Sequence, residues 1–184
     1  PSMHPRLLEL ILEHNSTIVF VNARRLAERL ATRLNELHLE GLEERSAAGP
    51  GSPSAEPTGA EHIARAAEAE GRPPPPGHEL VKAHHGSLSR ERRLDIEDEL
   101  KRGDLKALVA TSSLELGIDM GAVDLVIQVE SPGSVASGLQ RIGRAGHQVG
   151  QPSRGRIFPK HRADLLETAV VVERMHAGAI ESTR

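Results

Sequence analysis

Residues 17–37 read T-I-V-F-V-N-A-R-R-L-A-E-R-L-A-T-R-L-N-E-L. The first five, Thr17 to Val21, form a β-branched and aromatic run, which is typical of a buried strand in a parallel sheet. A helix is predicted to follow at once, because Asn22 can cap it. Its apolar stripe is made by leucines at spacings of four, four and three, namely Leu26, Leu30, Leu34 and Leu37.

The alternation of strands and helices continues after residue 79. The predicted elements are strand 80–83, helix 89–102 ending at Gly103, strand 106–110, a short helix at 111–116, strand 123–129, helix 135–145, strand 156–158 and helix 162–176. Such alternation predicts a three-layer α/β fold with a mainly parallel sheet. Ligand sites in these folds lie at the carboxyl ends of the strands.

Residues 39–79 interrupt the pattern. They contain seven prolines and six glycines in a segment otherwise made mostly of Ala, Ser and Glu. This composition predicts a mostly disordered surface insertion within a single domain spanning residues 1–184, with one helical stretch from His62 to Glu70. A proline-rich recognition motif is the functional alternative to a passive loop.

The composition excludes several classes of protein. The chain has no cysteine, which excludes disulfide scaffolds, thiolate metal sites and enzymes with a cysteine nucleophile. No apolar run approaches the roughly 18 residues that a membrane span requires, so no membrane partner is expected. The start, Pro1 to His4, lacks the features of a secretory signal, and the expected compartment is the cytoplasm.

Charge is distributed unevenly along the chain. The formal net charge is −3, yet residues 39–79 hold eight acidic side chains against three arginines, and residues 131–163 hold six basic side chains and no acidic one. The basic segment is suited to phosphate. Because the chain has two phenylalanines and neither Trp nor Tyr, we expect nucleic-acid contacts with backbone phosphates rather than with stacked bases.

Two polar clusters directly follow predicted strands. The first, N-A-R-R at 22–25, is either a cap with two surface arginines or a helix N-terminus that holds a phosphate together with Arg24. The second is H-H-G-S at 84–87. Adjacent histidines in an extended segment point to opposite faces and chelate one metal poorly, so no metal site is expected. Gly86 instead favours a turn that contacts phosphate or substrate.

A third cluster, A-T-S-S-L-E-L-G-I-D, spans residues 110–119. Ser112 and Glu115 fit a capping box that opens a short helix. This structural interpretation leaves Thr111 and Asp119 unexplained. A hydroxyl beside free helix N–H groups suits phosphate, and a carboxylate can accept hydrogen bonds from ribose hydroxyls, so both interpretations stay open.

The fourth cluster, Q-R-I-G-R-A-G-H, spans residues 140–147. Arg141, Arg144 and His147 recur three residues apart and lie roughly on one helical face. Like charges on one face repel each other, and each glycine inside a helix costs on the order of 1 kcal/mol relative to alanine. A segment with two features that are unfavourable in a helix is expected at a functional site. Arginine side chains form paired hydrogen bonds with phosphate oxygens, so the predicted ligand is a phosphate.

In this order, the four clusters resemble the second RecA-like domain of superfamily 2 helicases. T-I-V-F-V-N-A-R resembles motif IV, H-H-G-S-L-S-R-E-R-R the histidine-glycine motif, residues 110–119 motif V, and Q-R-I-G-R-A-G-H motif VI. The run S-P-G-S-V-A-S-G-L-Q-R-I-G-R-A-G-H-Q-V-G at 131–150 is similar to the large helicase-related (Lhr-type) DNA helicases. The resemblance implies a RecA-like fold and covers nearly all of the chain outside 39–79.

The resemblance also implies a role for each matching residue. Arg144 corresponds to the arginine finger that reaches the γ-phosphate of ATP, and Arg141 would support it. The residues near the nucleotide would be Gln140, Gly117, Asp119 and, where many relatives have arginine, His147. The residues on the tracking strand would be Thr111, Asn22, Arg24 and His85.

The sequence lacks a G-x-x-x-x-G-K-[ST] loop and a D-E-x-H-type box. ATP and Mg²⁺ would therefore be held mainly by a first RecA-like lobe, expected before Pro1, and the fragment alone is predicted to be inactive. A winged-helix domain is expected after Arg184. The resemblance implies 3′-to-5′ translocation on single-stranded DNA or partial duplexes, with DNA repair as the setting.

Two alternatives remain open from the sequence. A superfamily 2 helicase acting on RNA or RNA–DNA hybrids would make the same phosphate contacts, since these do not read the 2′-hydroxyl. A non-catalytic nucleic-acid- or protein-binding module would keep the fold without the motor. A free-standing α/β hydrolase is not supported, because the chain has no G-x-S-x-G elbow.

Overall fold

The computed structural model describes residues 3–47, 79–115, 123–145 and 153–180. Its centre is a five-stranded sheet in the spatial order β2-β3-β1-β4-β5, with every pairing parallel. The strands are β1 (Thr17–Phe20), β2 (Val81–His84), β3 (Ala107–Ala110), β4 (Leu125–Val129) and β5 (Gly155–Phe158). The predicted α/β fold with a parallel sheet is confirmed.

Helices cover both faces of this sheet. They are α1 (His4–Glu13), α2 (Arg24–Ala47), α3 (Arg90–Arg102), α4 (Val135–Ile142) and α5 (Arg162–His176), and a 3₁₀ turn spans Ser112–Leu114. Helix α3 begins and ends where the sequence predicts. The Ser89 hydroxyl accepts from the backbone N–H of Arg92, and Gly103 ends the helix in the left-handed conformation at φ 81°.

Successive side chains of the central strand β1 enter two different cores. Val19 and Val21 pack with α1 and α2, where Leu30 and Leu34 of the predicted stripe are buried. The alternate residues, among them Phe20, pack under α3 and the end of α4. Because β1 is buried on both faces, its sequence is a continuous apolar run rather than an alternating one.

Two predicted boundaries are wrong by three residues or more. Helix α2 continues to Ala47, so residues 39–47 of the predicted 39–79 insertion are helical. No proline occurs between Arg24 and Pro50, and Glu40 continues the helix surface with an ion pair to Arg33 at 3.0 Å. Residues 48–78, including the predicted helix His62–Glu70, lie outside the described residues.

The second wrong boundary is the end of α4, which was predicted at Ala145. The helix ends at Ile142, and Gly143 is its cap, with the backbone N–H donating to the Leu139 carbonyl at 2.8 Å. Gly143 therefore carries no cost inside a helix. Helix α1 was not predicted at all. Within the described ranges, no helix has the length and apolar character needed to cross a bilayer.

Candidate nucleotide and nucleic-acid site

The polar clusters meet at the carboxyl edge of the sheet. Strand β1 lies between β3 and β4, so the segments that follow these three strands are neighbours. The Asn22 side-chain amide, just after β1, donates to the backbone carbonyl of Ser131, just after β4, at 2.8 Å. Two segments 109 residues apart are joined by this bond.

Arg141 joins three of these segments. Its Nε donates to Glu115 Oε1 at 2.7 Å, and its Nη1 donates to Asn22 Oδ1 at 3.0 Å and to Gln128 Oε1 at 2.8 Å. The residue is 6% exposed, and its guanidinium lies 5.4 Å from the centre of the Phe20 ring. These bonds fix the end of α4 against β1, β4 and the turn after β3.

Arg144 lies beyond the end of α4 and is half-buried. Its Nη2 donates to the backbone carbonyl of Glu115 at 2.8 Å. Glu115 therefore contacts both Arg141 and Arg144. A β-bridge from Ala145 to Val123 holds the chain that follows. We call Asn22, Glu115, Gln128, Arg141 and Arg144 the arginine cluster.

A second group, which we call the turn cluster, consists of Arg24, Glu28, His85 and Ser87. His85 is buried, with Nε2 3.1 Å from Glu28 Oε1, and its Nδ1 accepts from the Ser87 backbone N–H at 3.3 Å. The proton on the ring therefore lies on Nε2. Arg24 Nη1 donates to the Ser87 hydroxyl, which ties the start of α2 to the turn after β2.

His84 points to the other face of the sheet, as predicted for adjacent histidines. Its Nε2 lies 2.9 Å from Glu97 Oε1, and its Nδ1 lies 2.9 Å from Ser113 Oγ. Both ring nitrogens are therefore bonded to other side chains of the protein. Burial lowers the pKa of His84 against the opposing effect of the Glu97 hydrogen bond. The His84 carbonyl accepts from the backbone N–H of Thr111 at 3.2 Å, so Thr111 is fixed beside the end of β2.

The remaining predicted site residues divide into two sets. Gln140 is exposed on α4, next to the buried Arg141. Three residues expected near the nucleotide lie outside the described residues, namely Gly117, Asp119 and His147. The predicted roles of these residues, like those of the two arginines, stay predictions.

Three local interpretations are wrong. Glu115 forms no capping box, because its N–H bonds to the Ser112 carbonyl and its carboxylate pairs with Arg141. Asn22 precedes a helix that begins at Arg24, and its side chain bonds to Ser131 and Arg141 instead.

The third concerns Gly86, which is not needed for the shape of its turn. A Cβ at this position would meet nothing within 4 Å. Its φ also lies outside the left-handed range that favours glycine.

Two residues of the arginine cluster were missed by sequence reasoning. Gln128 is a buried amide in an otherwise apolar strand, and its Nε2 also donates to the Val129 carbonyl at 2.9 Å. A polar residue within such a strand was an available signal, since buried polar groups are hydrogen-bonded. For Glu115 the local S-x-x-E pattern pointed to the wrong partner.

Comparison with known proteins places this geometry in a family. Residues 75–148 match the model of the helicase conserved C-terminal domain. The chain is 57% identical over all 184 residues to a Mycolicibacterium smegmatis protein described as "Lhr helicase/ probable uracil glycosylase", and 50% identical over 182 residues, 99% of the chain, to the Escherichia coli "Lhr helicase/uracil glycosylase". It spans 12% and 11% of the lengths of these relatives.

A solved structure gives the same result. The structure of Mycobacterium smegmatis helicase Lhr bound to ssDNA and AMP-PNP superimposes with a TM-score of 0.75 at 54% identity, covering 99% of this chain and 20% of that one. The chain therefore belongs to the C-terminal RecA-like domains of superfamily 2 helicases, and within them to the Lhr type.

Proposed function

We propose that this chain is the second motor lobe of a longer ATP-dependent DNA helicase or translocase that moves 3′ to 5′. The observation that carries the proposal is the bonding of Arg141, which gathers motif segments up to 119 residues apart at one sheet edge. The similar Lhr structure contains ssDNA and AMP-PNP. A nucleotide and a nucleic-acid strand are therefore the ligands that this edge is proposed to contact.

On the nucleotide side, Arg144 is proposed to be the arginine finger. Charge spreads over the equatorial oxygens of the γ-phosphoryl group during transfer, and a guanidinium placed there stabilises it. Arg141 is proposed to support Arg144 from within, because its own donors already bond to protein groups. The other residues proposed to line the nucleotide are Gln140, Gly117, Asp119 and His147.

On the nucleic-acid side, the proposed contacts are Asn22, Arg24 and Thr111. Arg24 is exposed, and its bond to the exposed Ser87 hydroxyl can be exchanged for a phosphate oxygen at little cost in free energy. His85 is buried, so it is proposed to support this surface through Ser87 and Glu28 rather than to touch the strand with its ring.

The described part of the chain offers little to a metal ion. Within it, no group of three or more His, Asp or Glu side chains could hold one, and the carboxylate of Glu115 is paired with Arg141. We therefore propose that ATP and Mg²⁺ are held mainly by a first RecA-like lobe of the longer protein. That lobe and a winged-helix domain are the proposed partners within the same chain.

The test is ssDNA-stimulated ATP hydrolysis by the longer helicase. Arg144→Ala is expected to lower kcat by about 10³-fold, since a missing arginine finger leaves the transition-state charge uncompensated. Its Kd for ssDNA should stay within about twofold, because the finger contacts the nucleotide. Arg102→Ala is the matched control, because Arg102 ends α3 at the opposite edge of the sheet. This chain alone is expected to show no hydrolysis.

Each alternative gives a different result. A loss below about threefold in Arg144→Ala would remove the finger assignment. Faster unwinding of RNA–DNA hybrids than of DNA duplexes would favour a hybrid or RNA helicase. A longer protein without ssDNA-stimulated hydrolysis would be a non-catalytic nucleic-acid-binding module.

A further inference from the structure

Glu115 contacts both arginines with different atoms. Its carboxylate pairs with Arg141, with Oε1 2.6 Å from Nη2 and 2.7 Å from Nε. Its backbone carbonyl accepts from Arg144 Nη2 at 2.8 Å. One residue therefore sets the position of two arginines that lie three residues apart in sequence.

The two contacts have different electrostatic consequences. The carboxylate balances the charge of Arg141 in a site where both side chains are largely shielded from water, so the attraction of this pair for an incoming phosphate is reduced. The carbonyl carries no net charge, so this contact orients Arg144 and does not itself neutralise it. Glu115 thus neutralises Arg141 with its carboxylate and orients Arg144 with its backbone carbonyl.

The position of Glu115 is itself fixed through Arg141. The other bonds of that guanidinium go to Asn22 after β1 and to Gln128 in β4. The Glu115 carboxylate is thereby tied to the centre of the sheet, and the backbone carbonyl of the same residue contacts Arg144. This is a mechanical link from the sheet to the proposed finger.

Resting on the proposed function, we infer that Glu115 is a positioning residue that divides the work of the two arginines. It holds Arg141 as a neutralised internal support and places Arg144 toward the γ-phosphate. Glu115 itself touches neither nucleotide nor nucleic acid. A change at this position therefore acts on the rate through Arg144.

The test uses the longer helicase with Glu115→Gln, which keeps the side-chain shape and removes its charge. We expect kcat for ssDNA-stimulated ATP hydrolysis to fall about 10-fold or more, because a slightly misplaced group loses much of its effect on the transition state. The KM for ATP and the Kd for ssDNA should stay within about twofold. The control is Glu99→Gln, which removes a carboxylate paired with Lys82 Nζ at 2.5 Å, away from the arginines.

A double variant separates this role from general support of the fold. If Glu115 acts through Arg144, then Glu115→Gln combined with Arg144→Ala is no slower than Arg144→Ala alone. Independent, multiplying losses would overturn the inference. A thermal unfolding curve and ssDNA binding for each variant check that the protein folds, and a loss of both along with kcat would also overturn it.

The outcomes distinguish this inference from the proposed function. If Glu115→Gln keeps the full kcat while Arg144→Ala has a strongly lowered kcat, the proposed motor-lobe function stands and the inferred role of Glu115 is wrong. Unchanged hydrolysis in Arg144→Ala would remove the proposed finger, and the role of Glu115 with it.

Discussion

The arginine cluster and the turn cluster lie at the same edge of the sheet but are bonded in different ways. Arg141 is 6% exposed and its guanidinium bonds to three side chains that are fixed by the strands. In the turn cluster, Arg24 and Ser87 are exposed, and the Glu28 side chain that contacts His85 is 59% exposed. The guanidinium of Arg141 is bonded inside the protein, whereas Arg24, Ser87 and Glu28 make their contacts at its surface.

The difference indicates two ways of preparing a site. Bonds shielded from water are strong and keep their geometry, which suits a group that must meet a transferring phosphoryl at a fixed distance. Exposed bonds contribute little to stability and are easily exchanged. That property suits contacts that must be made and released as a strand moves.

The largest expected difference between the clusters is in stability. Arg141→Ala should lower the free energy of unfolding by about 3 kcal/mol, because it leaves the shielded Glu115 carboxylate without its cation. Arg24→Ala, the matched arginine of the turn cluster, should cost less than about 0.5 kcal/mol. Urea unfolding of the 184-residue chain measures both. Equal losses would show that the clusters are not energetically different.

The pH dependence of stability probes the buried residue beneath the turn cluster. Burial lowers the pKa of His84, so the folded state stays neutral while the unfolded state takes up a proton below about pH 6.5. The free energy of unfolding should therefore be highest above that pH and fall by up to about 1.4 kcal/mol per unit of pH below it. His38, whose pKa is lowered by burial and then by Arg45, acts in the same direction.

Urea titrations between pH 5 and pH 8 test this, with His84→Gln as the informative variant. The variant should show a shallower acid slope than the unsubstituted chain, because one of the two histidines no longer takes up a proton on unfolding. Identical slopes would show that His84 is charged in the folded protein.

A smaller effect is expected on nucleic-acid binding. Arg24→Ala should weaken ssDNA binding about threefold and lower the slope of log affinity against log salt by about 0.7, the contribution of one phosphate contact on a single strand. Fluorescence anisotropy at several salt concentrations measures the slope in the longer helicase. Arg102→Ala, at the opposite edge, should leave it unchanged. An unaltered slope in Arg24→Ala would place the strand elsewhere.

The smallest expected effect is at Gly86. A methyl group here meets open space, so Gly86→Ala should raise the free energy of unfolding by about 0.5 kcal/mol through the unfolded chain. Any unfavourable effect should appear as a higher Kd for ssDNA, because the added methyl group would obstruct the approach of the nucleic-acid backbone to this turn. A loss of stability above about 1 kcal/mol would show that the turn requires glycine after all.

Much of the fold was predictable because its signals are local. The buried run at 17–21, the cap at Ser89 and the glycine at 103 each act within a few residues, and the structure follows them. Helix α1 also carried a signal, since Leu7, Leu10 and Ile11 have helical spacing and all three are buried.

The site was less predictable because its partners are distant in sequence. Glu115 has a suitable local partner in Ser112, yet it pairs with Arg141, 26 residues away. The sequence shows which residues can cap a turn, but only the packing of α4 against the sheet brings a buried guanidinium to that carboxylate. A shielded ion pair then outweighs a local cap.

The strand order also has a consequence for how the molecule is made. Thr17 of the central strand pairs with Ala107 on one side and with Leu125 on the other. During synthesis β1 is made before both of its partner strands, so both of its edges stay unpaired until about a hundred further residues have been translated. We expect the sheet to close late and in one step, with the early chain dependent on α1 and α2 to cover it until then.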